Sequence, residues 1–74
     1  MALRRANYPL DAALELKTLI EDWPNEARAY LALANLYAQI LNKPDDAATN
    51  YQRVLELAPQ HPQAPQIRAW LAQQ

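Results

Sequence analysis

The sequence predicts an all-α fold of about four helices that pair as antiparallel hairpins. Glycine is absent from the 74 residues, and the tight turns of β-hairpins depend on residues that accept positive φ. Six prolines divide the chain into segments. Within these segments the apolar side chains recur every three or four residues, which places them on one face of a helix.

The first helix is predicted from Pro9 to about Asp22, because proline is tolerated in a first helical turn and Pro24 ends the segment. The second is predicted from about Glu26 to Leu41, with Asn25 as its N-cap. Trp23 is expected to pack between helices. The apolar stripes are Ala12, Ala13, Leu16, Leu19 and Ile20 in the first helix, and Ala27, Tyr30, Leu33, Ala34, Tyr37 and Leu41 in the second.

The third helix is predicted from Pro44 to about Leu57. Asp45 and Asp46 fall in its first turn, where acidic side chains complement the helix dipole. After further prolines, a short fourth helix is predicted from about Ala64 to Gln73. The apolar stripe of the third helix is Ala47, Ala48, Tyr51, Val54 and Leu55.

An internal repeat relates the two halves of the chain. Sliding the sequence by 35 residues gives ten identities over the 31 positions from Asn7 to Tyr37. The identities include prolines and Asn/Asp residues at segment boundaries, such as Pro9 with Pro44 and Pro24 with Pro59. A period of this length is typical of stacked helical hairpins.

The run Tyr30-x2-Leu33-Ala34-x2-Tyr37, followed by Ala47-x3-Tyr51 and Pro59, resembles the tetratricopeptide repeat signature. The resemblance implies a right-handed solenoid with a half repeat at residues 7–25, a full repeat at 26–60 and a C-terminal capping helix at 61–74. There are departures from the family pattern. Tyrosine replaces its tryptophan and its phenylalanine, alanine replaces its glycine, and Pro65 stands where a large aromatic residue is usual.

The resemblance also implies a function, because first helices of successive hairpins in this family line a concave groove that holds peptides. We therefore expect a non-catalytic protein-protein interaction module. Asn35 occupies a position where family members that clamp carboxylates also have asparagine, but the basic clamp positions hold other residue types, so acidic C-termini are not expected ligands. By register, the groove residues are Arg28, Leu31, Asn35, Gln39, Gln66 and Trp70, with Gln63 beside them.

Three of these residues also have a simpler interpretation. Asn35 is also explained as a solvated helix residue, Arg28 as a partner of a nearby carboxylate, and Trp70 as a cover for the end of the helix stack. The acidic pairs Glu21-Asp22 and Asp45-Asp46 are explained by solvation and by the helix dipole.

An alternative function is assembly. Leu10 and Leu14 are apolar where the third helix has polar residues one repeat later. Exposed apolar patches usually mark interfaces. We expect this face to pack on neighbouring repeats of a longer protein or to join copies of the chain in a homo-oligomer.

Composition argues against other classes of function. Serine and cysteine are absent and histidine occurs once, so we expect no catalytic site, no metal site and no cofactor. Seven basic and eight acidic residues give a net charge of −1, which disfavours nucleic acid as a partner. No apolar run is long enough for a membrane span, and no signal peptide is recognised. The compartment stays open, with the cytoplasm favoured.

Overall fold

The computed structural model describes residues 9–74 and shows an all-α fold with four helices. They are α1 (Pro9–Asp22), α2 (Ala27–Gln39), α3 (Pro44–Leu57) and α4 (Ala64–Ala72). No strand occurs in this part of the chain. The prediction of an all-α protein built from four helices is confirmed, and the bounds of α1 and α3 agree with the prediction.

The helices form a row in which each packs closely only against its neighbours in sequence, as far as residues 9–74 are concerned. The contact between α2 and α3 is the most extensive, α1 packs on α2, and α4 packs on α3. The molecule is correspondingly elongated, with extents of 38 × 25 × 19 Å. This arrangement places α1 and α4 at opposite ends of the row.

The core lies mainly along the α2–α3 contact, and every buried residue in the described part is apolar or aromatic. Small and large side chains alternate there, which lets the helix axes approach while the large side chains fill the remaining space. Val54 and the alanines at 34 and 47 have no exposed surface. The central cluster comprises Ala13, Leu33, Ala34, Tyr37, Ala47, Tyr51, Val54 and Ile67.

Helix α1 is much less covered than α2 or α3. Ala13 is its only buried residue, and Leu19 retains 40% of its accessible surface. Trp23, which follows α1, is 62% exposed. The expectation that Trp23 packs between helices is therefore wrong. The reason is geometric, since α2 is the only described helix in close contact with α1 and it covers one side alone.

The ends of α2 differ from the prediction by one or two residues. Its N-cap residue is Glu26 rather than Asn25, and no side chain caps it. At the other end α2 stops at Gln39, because the backbone turns through Asn42 with φ of 56°. The Lys43 N–H donates to the Tyr37 carbonyl (2.8 Å) and closes this turn. Helix α4 ends at Ala72, one residue earlier than predicted.

Substitution of Asn42 tests this explanation of the turn, because Asn42 is exposed and is the one residue with positive φ in the described range. Asparagine tolerates the left-handed region better than alanine does, and glycine tolerates it best. We expect Asn42→Ala to lower the free energy of unfolding by about 1 kcal/mol. Asn42→Gly is expected to keep or raise it. Urea denaturation followed by circular dichroism measures both, and equal stability of the two variants would contradict the backbone explanation.

Candidate functional site

Tyr51 of α3 is the residue on which the candidate site is built. Its side chain is 5% exposed, and its hydroxyl donates a hydrogen bond of 2.5 Å to Asn35 Oδ1 on α2. Trp70 of α4 lies on its ring, with ring centroids 4.9 Å apart and planes inclined by 57°. Tilted aromatic pairs at this distance are favourable. Tyr51 therefore connects three helices at one point.

A cleft of about 320 Å³ opens above this point, between α2 and α4 with α3 as its floor. Its lining contains four side-chain amides and one indole ring, and among the residues that form it no Asp, Glu, Lys or Arg is present. Asn35 and Gln39 share one face of α2 because they are four residues apart. The lining residues are Asn35, Gln39, Tyr51, Gln63, Gln66, Ile67 and Trp70.

The polar groups of the cleft remain available to a ligand. Asn35 uses its carbonyl oxygen to accept the Tyr51 hydroxyl, so its Nδ2 group is the part left to donate. Within residues 9–74, this Nδ2 group and the side-chain amides of Gln39, Gln63 and Gln66 have no protein partner. The cleft thus offers both donors and acceptors at neutral groups, next to the half-buried Trp70.

The structure brings together four of the six predicted groove residues, namely Asn35, Gln39, Gln66 and Trp70. It places the other two elsewhere. Leu31 is half-buried and packs against the core cluster. Arg28 Nη2 lies 3.5 Å from Glu26 Oε2 and keeps 84% of its side chain exposed, so the Arg28–Glu26 pair contributes little to stability.

Arg28 instead borders a second and larger cavity of about 640 Å³, which lies between the end of α1 and the start of α2. This cavity is mainly apolar, and two of the exposed large side chains of the molecule, Leu19 and Trp23, line it. The Glu26 carboxylate also lines it, and the hydrogen bond from Arg28 lowers the pKa of Glu26. The complete lining is Leu16, Leu19, Trp23, Glu26, Arg28 and Ala29.

Leu10 and Leu14, the predicted self-association residues, are 63% and 61% exposed. They lie on the other flank of α1, beside a depression of about 350 Å³ that reaches Tyr37. Lys43 and Asp46 border the same depression. Helix α1 therefore has exposed leucines on two separate flanks.

Sequence reasoning missed the polar role of Tyr51, which the apolar stripe assigned to core packing alone. Its partner Asn35 is 16 residues away on another helix. The spacing of the stripe identifies the buried face but contains no signal for this hydrogen bond. The second cavity, between α1 and the start of α2, was also missed, although the counterparts of its leucines one repeat later are the core residues Tyr51 and Val54.

No protein-family model matches the chain, and comparisons with curated proteins and with solved structures gave no significant match. Two structural observations bear on other classes of function. No helix in residues 9–74 has the length and apolar character to cross a membrane. In the same residues, no three His, Asp or Glu side chains are grouped as metal ligands.

Replacing Tyr51 by phenylalanine removes the hydrogen bond to Asn35 but keeps the ring. We expect the free energy of unfolding to fall by about 1 kcal/mol at neutral pH. Burial raises the pKa of Tyr51. The contribution of its protonated hydroxyl is therefore present below the unfolded pKa of about 10 and is lost as the pH rises through the higher folded pKa. The difference in stability between parent and variant should shrink in that alkaline range.

Urea denaturation at a series of pH values measures this difference. Tyr37→Phe is the matched control, because Tyr37 is 6% exposed and its hydroxyl has no protein partner within the described residues. A loss in Tyr37→Phe as large as that in Tyr51→Phe would show that the Asn35 hydrogen bond is not the cause.

Proposed function

We propose that this chain is a non-catalytic protein-interaction module of the tetratricopeptide type, which holds an extended segment of a partner protein in the α2–α4 cleft. The observation that carries the proposal is the convergence of unpaired side-chain amides and one indole ring on a single cleft. Those groups come from α2, from α4 and from Gln63 immediately before α4, and the repeat relates α2 to α4.

The chemistry of the cleft supports a peptide as the ligand. An extended peptide exposes alternating N–H and C=O groups, and side-chain amides can pair with both. Asn35 presents Nδ2 to the cleft and so suits a peptide carbonyl. Trp70 offers an apolar surface for one side chain of the ligand, and tryptophan is common among interface residues that dominate affinity.

The charge of the cleft supports an uncharged segment. A charged ligand would lose hydration without meeting an opposite charge among the lining residues, which is unfavourable. Nucleic acid fits poorly for the same reason, since phosphate binding depends on clustered Lys and Arg. A volume of about 320 Å³ lies at the small end for binding sites, so we expect the segment to be short and the affinity modest.

The absence of serine and cysteine from the sequence supports a non-catalytic role, because these are the commonest side-chain nucleophiles. Binding alone needs no such group. The exposed amides and the ring of the cleft are sufficient for recognition.

The proposal is tested by placing charge in the cleft. Gln39→Glu combined with Gln66→Glu changes two exposed lining residues and leaves Tyr51 and Asn35 intact. The parent and this double variant serve as baits in a pull-down from source-cell lysate, with identification by mass spectrometry. We expect a partner of the parent to bind the variant at least tenfold more weakly, which corresponds to about 1.4 kcal/mol.

The matched control is Gln52→Glu combined with Gln60→Glu, which adds the same charge at exposed positions outside the cleft. All three proteins must show the same helical circular dichroism. Partners that bind the cleft variant as well as they bind the parent would contradict the proposal.

A further inference from the structure

The 35-residue repeat makes α1 equivalent to α3 and α2 equivalent to α4. Of the two equivalent helices α1 and α3, only α3 is preceded by a partner helix among residues 9–74, and that partner is α2. Helix α3 packs extensively on α2. The corresponding partner of α1 would be a helix equivalent to α2 or α4. Among residues 9–74, no helix occupies that position, since α1 is in close contact with α2 alone.

Residues of α1 that correspond to the buried face of α3 are less buried than their counterparts. Val54 of α3 has no exposed surface, whereas its counterpart Leu19 is 40% exposed. Ala47 likewise has no exposed surface, whereas its counterpart Ala12 is half-buried. The face of α1 that contains Ala12, Leu16 and Leu19 is therefore a copy of the face that α3 presents to α2, and it is left partly uncovered although Leu16 touches the core cluster at its edge. We call it the α1 outer face.

Helix α4 carries the complementary unused copy. Ala34 of α2 has no exposed surface, but its counterpart Ala69 is exposed. Pro65 and Ala72 are exposed on the same face of α4. The small residues at 65, 69 and 72 would let a facing helix with large side chains approach closely. We call this the α4 outer face.

A matched exchange supports pairing of the two outer faces. Within the chain, Asn35 of α2 and Tyr51 of α3 form a hydrogen-bonded pair. Their counterparts one repeat away are Trp70 of α4 and Leu16 of α1. Trp70 and Leu16 are both half-buried and apolar. A contact between Trp70 of one copy and Leu16 of another would therefore be apolar on both sides, whereas the Asn35–Tyr51 contact is polar on both sides.

The charges of the two helices are also complementary. Helix α1 carries four acidic side chains, at positions 11, 15, 21 and 22, against Lys17 as its single basic one. Helix α4 carries Arg68 and no acidic side chain. The α2–α3 pair, whose contact is buried within the molecule, has the same distribution of charge. Arg28 is the one charged side chain of α2, and α3 is acidic overall. Opposite charges on facing helices favour their association.

We propose that copies of this chain associate head to tail, with the α1 outer face of one copy packed on the α4 outer face of the next. Each contact repeats the α2–α3 pairing between molecules. Because the two faces differ, the contact is heterologous and leaves a free α1 and a free α4 at the ends of every oligomer. The association therefore continues beyond a dimer as the protein concentration rises.

Sedimentation velocity of the full chain over a wide range of concentration tests this proposal. Leu19→Glu blocks the α1 outer face, and Ala69→Glu blocks the α4 outer face. We expect the parent to form species larger than a dimer, and each variant alone to remain monomeric. An equimolar mixture of the two variants keeps one intact face of each kind, so it should form a dimer and nothing larger.

Leu10→Glu combined with Leu14→Glu is the control, since it places charge on the other flank of α1 and should leave association unchanged. Circular dichroism must show that every variant is folded, and Leu19→Gln replaces Leu19→Glu if the charge unfolds the helix. A parent that stays monomeric at every concentration overturns the proposal. So does a mixture of the two variants that stays monomeric, or loss of association in the Leu10/Leu14 variant.

Discussion

The close contact between α2 and α3 is the interaction on which the rest of the structure depends. It joins Leu33, Ala34 and Tyr37 of α2 to Ala47 and its neighbours on α3 in one buried cluster. A chain of this size buries only about 60% of the surface of its unfolded form, so little other apolar surface is available for stability. Helices α1 and α4 are added to this pair and each contacts only one of its members.

Tyr51 links the stability of the core to the candidate binding cleft. The same ring fills the core and forms the floor of the cleft, and its hydroxyl orients Asn35. A hydrogen bond between two helices needs a constant separation between them, which the packed cluster provides. The amide groups above it are thereby held on rigid elements, an arrangement that reduces the entropy lost when a ligand binds.

The two outer faces follow from the repeat itself. A helix that is built to pack on both sides retains apolar residues on both, whether or not a neighbour is present. In this chain α2 and α3 have neighbours on both sides, whereas α1 and α4 have one each among the described helices. Repeat proteins are stabilised by contacts between adjacent units, so an uncovered end is a natural place for association. The cleft and the α4 outer face meet at Trp70, which lines the cleft and is also the counterpart of Asn35 in the proposed contact between copies.

The sequence by itself determined the fold class and every helix boundary to within two residues. Proline has no backbone N–H to donate to the preceding helical turn. The positions of the prolines therefore mark where helical segments begin and end. The resemblance to the tetratricopeptide repeat also indicated five of the residues that line the cleft, namely Asn35, Gln39, Gln63, Gln66 and Trp70. Tertiary structure decided what lies against each face. Periodicity shows that α1 and α3 each have an apolar stripe, but only packing buries Val54 and leaves Leu19 exposed. Likewise, the Asn35–Tyr51 hydrogen bond depends on the distance between two helices, and that distance is set by the side chains packed between them.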